Sequence, residues 1–329
     1  ACADLLGMSG VTGVAGALST ITAATIGGAI ELARRAVGAG QSLPMRLCVV
    51  AMGRFGGREL GYASDADVLF CYEPEPGADG EAARRAAHAV AEELTRLLAR
   101  PGPDPSVRID ADLRPEGRQG PLVRTLAAYR AYYQRWARPW EVQALLRAAP
   151  VAGDEALGRE FTALADEIRY PVGGPPEDAV REIRRIKARM EAERMPRGVD
   201  PAQHVKLGPG GLTDVEWVAQ LLQLRHAGEV TALRTTGTLP VLTAAVDAGL
   251  LAAADEAELA QAWLLAARIR NAVMLVRGRG SDVLPSRHDE LAAVAYLLGY
   301  PPEAAQDLTE DWRRAARHAR AVMERVFYG

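Results

Sequence analysis

Only three of the 329 residues are cysteine and five are histidine. Cys2, Cys48 and Cys71 are odd in number and lack metal-ligand spacing, which excludes a disulfide framework or a zinc module. Cys48 and Cys71 fall in apolar runs and read as core packing. The histidines show no ligand spacing either. Charge of one sign is also missing: 39 Lys and Arg face 42 Asp and Glu, for a net charge of −3. No global field draws such a chain onto nucleic acid, and no nucleic-acid partner is expected. Long hydrophobic runs are absent as well. The most apolar stretch, Val11 to Ile30, is broken by four glycines and several Ser and Thr residues. It lacks a charged flank, so no membrane-spanning segment is expected. With 49% hydrophobic and 25% charged residues, the remainder suits an ordinary globular protein of the reducing cytoplasm. Ala1 does not resemble a natural start, and the chain is expected to be the C-terminal portion of a longer protein.

The richest stretch runs from Gly53 through Arg54, Gly56, Gly57, Ser64, Asp65 and Asp67 to Phe70. An apolar strand, Met45 to Met52, enters a glycine turn, and a second strand then opens with two aspartates. Residues two apart on a strand share a face. Asp65 and Asp67 therefore lie side by side, with Val68 and Phe70 turned the other way into a core. Two such charges repel by roughly 4 kcal/mol at 4 Å and an effective dielectric near 20. A divalent cation between the carboxylates relieves that repulsion, and Mg²⁺ is typically held by one or two carboxylates plus substrate phosphates. Such a pair also occurs merely capping a strand or facing water.

A third acidic strand makes metal-dependent phosphate chemistry the better reading. Val107, Ile109, Ala111 and Leu113 alternate with Arg108, Asp110 and Asp112, which predicts a strand presenting acid on one face. Glycine turn, Asp-x-Asp and a later Asp compose the pattern of DNA polymerase β-like nucleotidyltransferases. Counted from Gly53-Arg54, ten residues precede Asp65, whereas Gly56-Gly57 leaves only seven. Gly53 is thus taken as the turn, with Gly56-Gly57 adding backbone flexibility near the phosphates.

The run GRFGGRELGYASDADVLF resembles the active-site signature of the glutamine synthetase adenylyltransferase family, whose members are bifunctional adenylylating and adenylyl-removing enzymes. The similarity continues through IDADLRPEGRQGPLV, WARPWEVQALLRAAPVAGD, IRRIKARME and KLGPGGLTDVEWVAQ. Glu59-Leu60-Gly61-Tyr62 and the stretch from Trp140 to Leu145 resemble the adenylylating, C-terminal half. Asp112 departs from the pattern, which more often has arginine there.

The resemblance implies transfer of AMP from ATP to a tyrosine hydroxyl of glutamine synthetase, with pyrophosphate leaving in line. It implies two Mg²⁺ ions roughly 3.5–4 Å apart, held by Asp65 and Asp67, with Asp110 completing the site beside the tyrosine. Arg54 and Arg58 are candidates for the triphosphate or solvated surface groups. Ser64 either binds phosphate or makes a local strand-start hydrogen bond. Arg114 and Arg118 match the family motif, and Arg114 either pairs with Asp110 or Asp112 or touches nucleotide. The PII signal protein is a further possible partner. The adenylyl-removing half is the nearest rival. A PII uridylyltransferase-like enzyme and a catalytically silent docking module complete the alternatives. The uridylyltransferase reading is disfavoured because the chain ends without its downstream modules. Three retained, mutually repelling carboxylates count against silence.

A second signal is the run from Lys206 through Gly208, Gly210 and Gly211 to Leu212. A glycine-rich turn entering a helix offers free N–H groups to an anion, and Lys206 adds charge. The family resemblance favours Lys206, Gly210 and Gly211 as a loop facing the triphosphate. Asp214 and Glu216 suit the helix dipole, which is the plain structural alternative. Trp140, Gln143 and Arg147 fall on one face of a polar-aromatic helix, as core packing or as a support for adenine or the sheet.

The expected fold is α+β. A helical segment over residues 1–40 packs on a nucleotidyltransferase domain with a short mixed sheet over 41–157. An all-α bundle follows over 158–329. Predicted helices cover residues 18–37, 81–99, 154–169, 176–195, 212–227, 238–248, 255–277, 288–298 and 302–327, with N-caps at Thr238 and Asp255.

Overall fold

A computed structural model describes residues 2–102 and 105–329. The chain divides into two compact units. A sheet unit comprises Gly16–Leu60 and Ser64–Pro171, and a helical unit comprises the residues up to Ala15, Gly61–Ala63 and Val172–Gly329.

Five strands form the sheet: β1 (Met45–Ala51), β2 (Ala66–Pro74), β3 (Ile109–Asp110), β4 (Val123–Arg124) and β5 (Ala149–Gly153). β1 lies between β2 and β5, antiparallel to both. β3 and β4 both run parallel to β2, pairing first with its start and then with its middle. An α+β fold with a small mixed sheet is therefore observed.

The strands are apolar on both sides because both faces are covered. Leu47, Val49 and Ala51 of β1 join Val68 and Phe70 of β2 in one core. That core is completed by helix α1 (Val11–Gly38), through Ile26 and Ile30, and α2 (Gly80–Leu98), through Val90 and Leu94. On the opposite face Cys48, Val50, Leu69 and Cys71 meet Tyr129 of α3 (Leu126–Arg135), Leu145 of α4 (Pro139–Leu145) and Phe161 of α5 (Glu155–Arg169). Each buried Val, Leu or Phe side chain contributes about 1.5–3 kcal/mol. Asp154 caps α5 by accepting from Leu157 N at 2.7 Å. The whole of α5 belongs to the sheet unit, because Leu157, Phe161 and Leu164 fill its second core. The division consequently falls at Pro171, beyond the boundary expected at residue 157.

Three further sequence expectations are corrected. β3 is two residues long instead of seven: Asp112 N donates to Asp110 Oδ1 at 2.7 Å and Arg114 N to Ala111 O, so the chain turns away from β2. β5 carried no sequence signal. It contains Pro150, lies at the sheet edge and pairs with a register shift at Val49/Val50, a setting in which proline is tolerated. Helix α4 ends at Leu145, so Arg147 lies beyond the helix whose face it was expected to share.

The helical unit contains α6 (Glu177–Glu193), α7 (Leu212–His226), α8 (Thr238–Asp247), α9 (Ala253–Arg277), α10 (His288–Leu297) and α11 (Ala305–Met323). Each predicted segment is found within a few residues. The N-caps differ: Gly237 and Ala252 precede α8 and α9, while Thr238 is buried inside the first turn and Asp255 pairs with Arg325. By length and apolarity alone α1 and α9 meet the criterion for a membrane span, and α9 buries half of its most apolar window within the protein.

Candidate active site

β2 and β3 bring the acidic residues together. Asp67 and Asp110 are register partners on adjacent parallel strands, as are Ala66 and Ile109. Asp65 stands just before β2. It lines a cleft of about 240 Å³ together with Arg108, Asp110, Asp112 and Arg118. By strand parity Asp67 shares its face with Leu69 and Cys71, so the same face is acidic at its start and apolar further along.

The turn after β1 is built against this acid. Gly53 begins a single helical turn, Gly53–Gly56, with φ +51°. A β-carbon at Gly53 would overlap Oδ2 of Asp67 and come within 3.1 Å of its Cγ. Met52 N donates to Asp67 O at 2.8 Å, which ties the turn to the strand. Gly56 and Gly57 are buried, and a β-carbon at Gly56 would strike the carbonyl oxygen of Arg147. Close backbone approach, not flexibility near phosphates, is what Gly56 supplies.

The arginines divide by partner. Arg54 Nε donates to Glu59 O at 2.9 Å, and an Arg58 Nη to Thr20 Oγ1 at 3.0 Å. Arg114 donates to the carbonyls of Ala111, Arg118 and Gly120 at 2.8–3.1 Å, which organises the loop after β3. Arg118 is largely exposed and holds Asp112 at 2.6 Å. The hydrogen bond it donates to Asp112, with the Asp110 charge nearby, raises the Arg118 pKa. Ser64 is half-buried, directly before Asp65.

Sequence reasoning missed the Glu59–Arg147 ion pair. It is 2.9 Å long, with both side chains more than nine-tenths buried. Eighty-eight residues separate the partners, and no local pattern announces such a pair. Together with Gly56 against Arg147 O, it anchors the glycine turn. Glu141 is likewise buried, accepting from Tyr132 Oη and from Arg138 N.

In the helical unit the glycine-rich run does not offer free donors. Leu212 N donates to Val205 O, Thr213 N to Lys206 O and Asp214 N to Gly211 O. Gly210 N donates to Asp214 Oδ2 at 2.8 Å. Gly210 has φ +73°, and a β-carbon there would strike Ala316 O of α11. A β-carbon on Gly211 would come within 2.9 Å of the carbonyls of Gly208 and Lys206. Asp214 is wholly buried and is held by Lys187 at 2.5 Å and Arg320 at 3.1 Å. The anion the helix start favours is thus its own Asp214. Lys206 is half-buried, and its charge helps depress the pKa of Asp282.

Among the described residues, no three Asp, Glu, His or Cys side chains form a ready metal cage. Mg²⁺ does not require one: it keeps several waters and takes one or two carboxylates plus phosphate oxygens. The paired Asp67 and Asp110 beside an open cleft fit that demand, as hard oxygen donors with room left for substrate.

The sequence matches models of known families. Residues 1–164 match the family described as glutamate-ammonia ligase adenylyltransferase. Residues 182–327 match the family described as GlnD PII-uridylyltransferase. Among individual proteins, the chain is similar to the bifunctional glutamine synthetase adenylyltransferase/adenylyl-removing enzymes of Streptomyces avermitilis, Nocardia farcinica and Mycobacterium leprae. Identities are 59%, 55% and 51%, over 96%, 99% and 99% of this chain. It spans about a third of the length of those relatives: 32%, 33% and 32%.

Proposed function

We propose that the sheet unit is a DNA polymerase β-like nucleotidyltransferase and that the chain is the adenylylating, C-terminal half of its longer relatives. It transfers AMP from ATP to a tyrosine hydroxyl of glutamine synthetase in the cytoplasm. The observation that carries this reading is the register pairing of Asp67 with Asp110, with Gly53 packed against Asp67. The names of the relatives support the substrate. The Glu59-to-Tyr62 and Trp140-to-Leu145 motifs support the half.

Asp65, Asp67 and Asp110 would hold Mg²⁺, which supplies charge neutralisation of the phosphates and activation of the nucleophile. Gly53 leaves room for the Asp67 carboxylate, and the Glu59–Arg147 pair keeps the turn in place. Arg54 lies in the Gly53–Gly56 turn and Ser64 directly before Asp65, and both would meet phosphate oxygens there. Arg118 is exposed at the cleft and is free to exchange Asp112 for phosphate. Asp110 Oδ1 accepts from Asp112 N, which orients the carboxylate so that Oδ2 receives the tyrosine proton. The oxygen then attacks the α-phosphorus, the bond to the β-phosphate oxygen breaks, and pyrophosphate leaves.

The test is incubation with labelled ATP, Mg²⁺ and glutamine synthetase, followed by mass spectrometry of the modified peptide. An AMP increment on tyrosine is expected. Loss of pre-installed AMP in phosphate would instead identify the removing half. A UMP increment when UTP replaces ATP would support the uridylyltransferase reading, which the match of residues 182–327 favours. That match covers only helices and none of the three aspartates.

A further inference from the structure

Independently of the acidic cleft, we propose that the helical unit carries a binding site for a small organic anion, with a phosphate or carboxylate head on an apolar body. The site is a cavity of about 710 Å³ beside α11, within the 300–1,000 Å³ range of small-molecule pockets. Arg313, Arg317 and Arg320 reach it from one face of α11, at positions i, i+4 and i+7. Pro201, Ala202, Pro209, Ala316 and Ala321 supply the apolar wall.

The charges lining the cavity are unequally engaged. Arg320 is committed to Glu324 at 2.9 Å, Glu191 at 3.0 Å and Asp214 at 3.1 Å. Glu324 is thereby occupied too. Asp200 accepts from Ala202 N at 3.0 Å. Arg313 and Arg317 are exposed and enter no ion pair among the described residues. Two uncommitted guanidinium groups one turn apart line the cavity, and each offers a planar fork of donors that suits a phosphate or carboxylate. The walls are already braced. Trp312 Nε1 donates to the backbone oxygen of the lining residue Ala202 at 2.9 Å, and Gly210 abuts Ala316 of the same helix. A ligand would enter a site already formed, which lowers the ordering cost of binding. The concave shape and bounded volume suit a small molecule better than a flat protein surface.

The experiment uses 8-anilinonaphthalene-1-sulfonate, an apolar anion, as fluorescent reporter on the full chain. 1-Naphthyl phosphate and 1-naphthoate compete with it, and the stronger competitor identifies the head group. Saturable binding of one reporter per chain is expected, with displacement by at least one competitor. Inorganic phosphate at equal concentration should displace less than a tenth as well. The double variant Arg313→Ala/Arg317→Ala should weaken binding about tenfold or more with an unchanged melting temperature, since both side chains are exposed. Ala321→Trp fills the cavity from an exposed position without altering charge, and it should abolish binding. Wild-type affinity in both variants overturns the site. Weakened binding in the arginine variant with normal binding in Ala321→Trp also overturns it, by reducing the effect to a surface charge.

Discussion

Gly53 and Asp67 are packed so closely that the glycine hydrogen stands where any other residue would place a carbon against Asp67 Oδ2. The last residue needed to end β1 and the acid needed on β2 are therefore one steric unit. Gly53→Ala should displace the carboxylate, and a misplacement of about 1 Å can cost about 10²-fold in rate. The left-handed backbone at φ +51° adds only about 1–2 kcal/mol of strain. Steady-state adenylylation and a thermal melt, run together, check this: a large loss of kcat with a modest fall in Tm is expected.

Asp67→Asn and Asp65→Asn should each remove nearly all activity while leaving the fold intact. Loss of one preorganised electrostatic group typically costs about 10²–10³ in kcat, and loss of metal at least that. Titrating Mg²⁺ against turnover in each variant is the measurement. Near-normal turnover in either one would contradict the assignment.

Arg147→Ala removes the ion-pair partner of the buried Glu59. Breaking such a pair costs about 3–5 kcal/mol. Replacing both, Glu59→Met with Arg147→Leu, should recover much of that stability. A double-mutant cycle in urea reads the coupling, and additive effects would show that the pair does not brace the turn.

Acid should weaken the helical unit in two stages. Burial pushes the His204 imidazole below its usual value. For Glu191, burial raises the carboxyl, but Lys187 and Arg320 outweigh it and hold the group low. Burial likewise raises Asp282, while Arg270 and Lys206 bring it below the usual range. All three have folded pKa values below their unfolded ones, so the unfolded chain binds more protons on acidification. The His204 contribution is complete above about pH 6.5 and fades as pH falls through its lower folded value. The carboxylate contributions are complete above about pH 4 and fade below it. Melting curves from pH 8 to pH 3 should show Tm falling in that order. Burial also lowers His226, so His204→Gln should shrink the first stage and leave the second unchanged.

The helices were legible because each is written in local terms. Asp79 and Asp154 cap α2 and α5 through bonds to the third residue onward, and apolar spacing marks the buried faces. The Asp-x-Asp signal was local too, although Asp65 stands just before β2 and only Asp67 lies in the strand. Local reading failed where nearby side chains and carbonyls claimed backbone donors that the pattern left open. The 107–113 alternation predicted a strand, but the Asp110 carboxylate captured Asp112 N and ended it. The Lys206–Gly211 run predicted an anion site, but Asp214 and the carbonyls of Val205 and Lys206 had already satisfied its donors.

Sequence alone determined most of the helices, the strands β1 and β2 and the faces they bury, because periodicity depends on neighbours within a few positions. Only the tertiary structure decided that Asp110 pairs in register with Asp67. It alone decided that Gly53 exists to make room for that acid, that Gly56 abuts Arg147 and that Asp214 is buried between Lys187 and Arg320. Those relationships join residues 14 to more than 100 positions apart. Their energy comes from close packing and desolvated charge, which exist only once the distant segments have met.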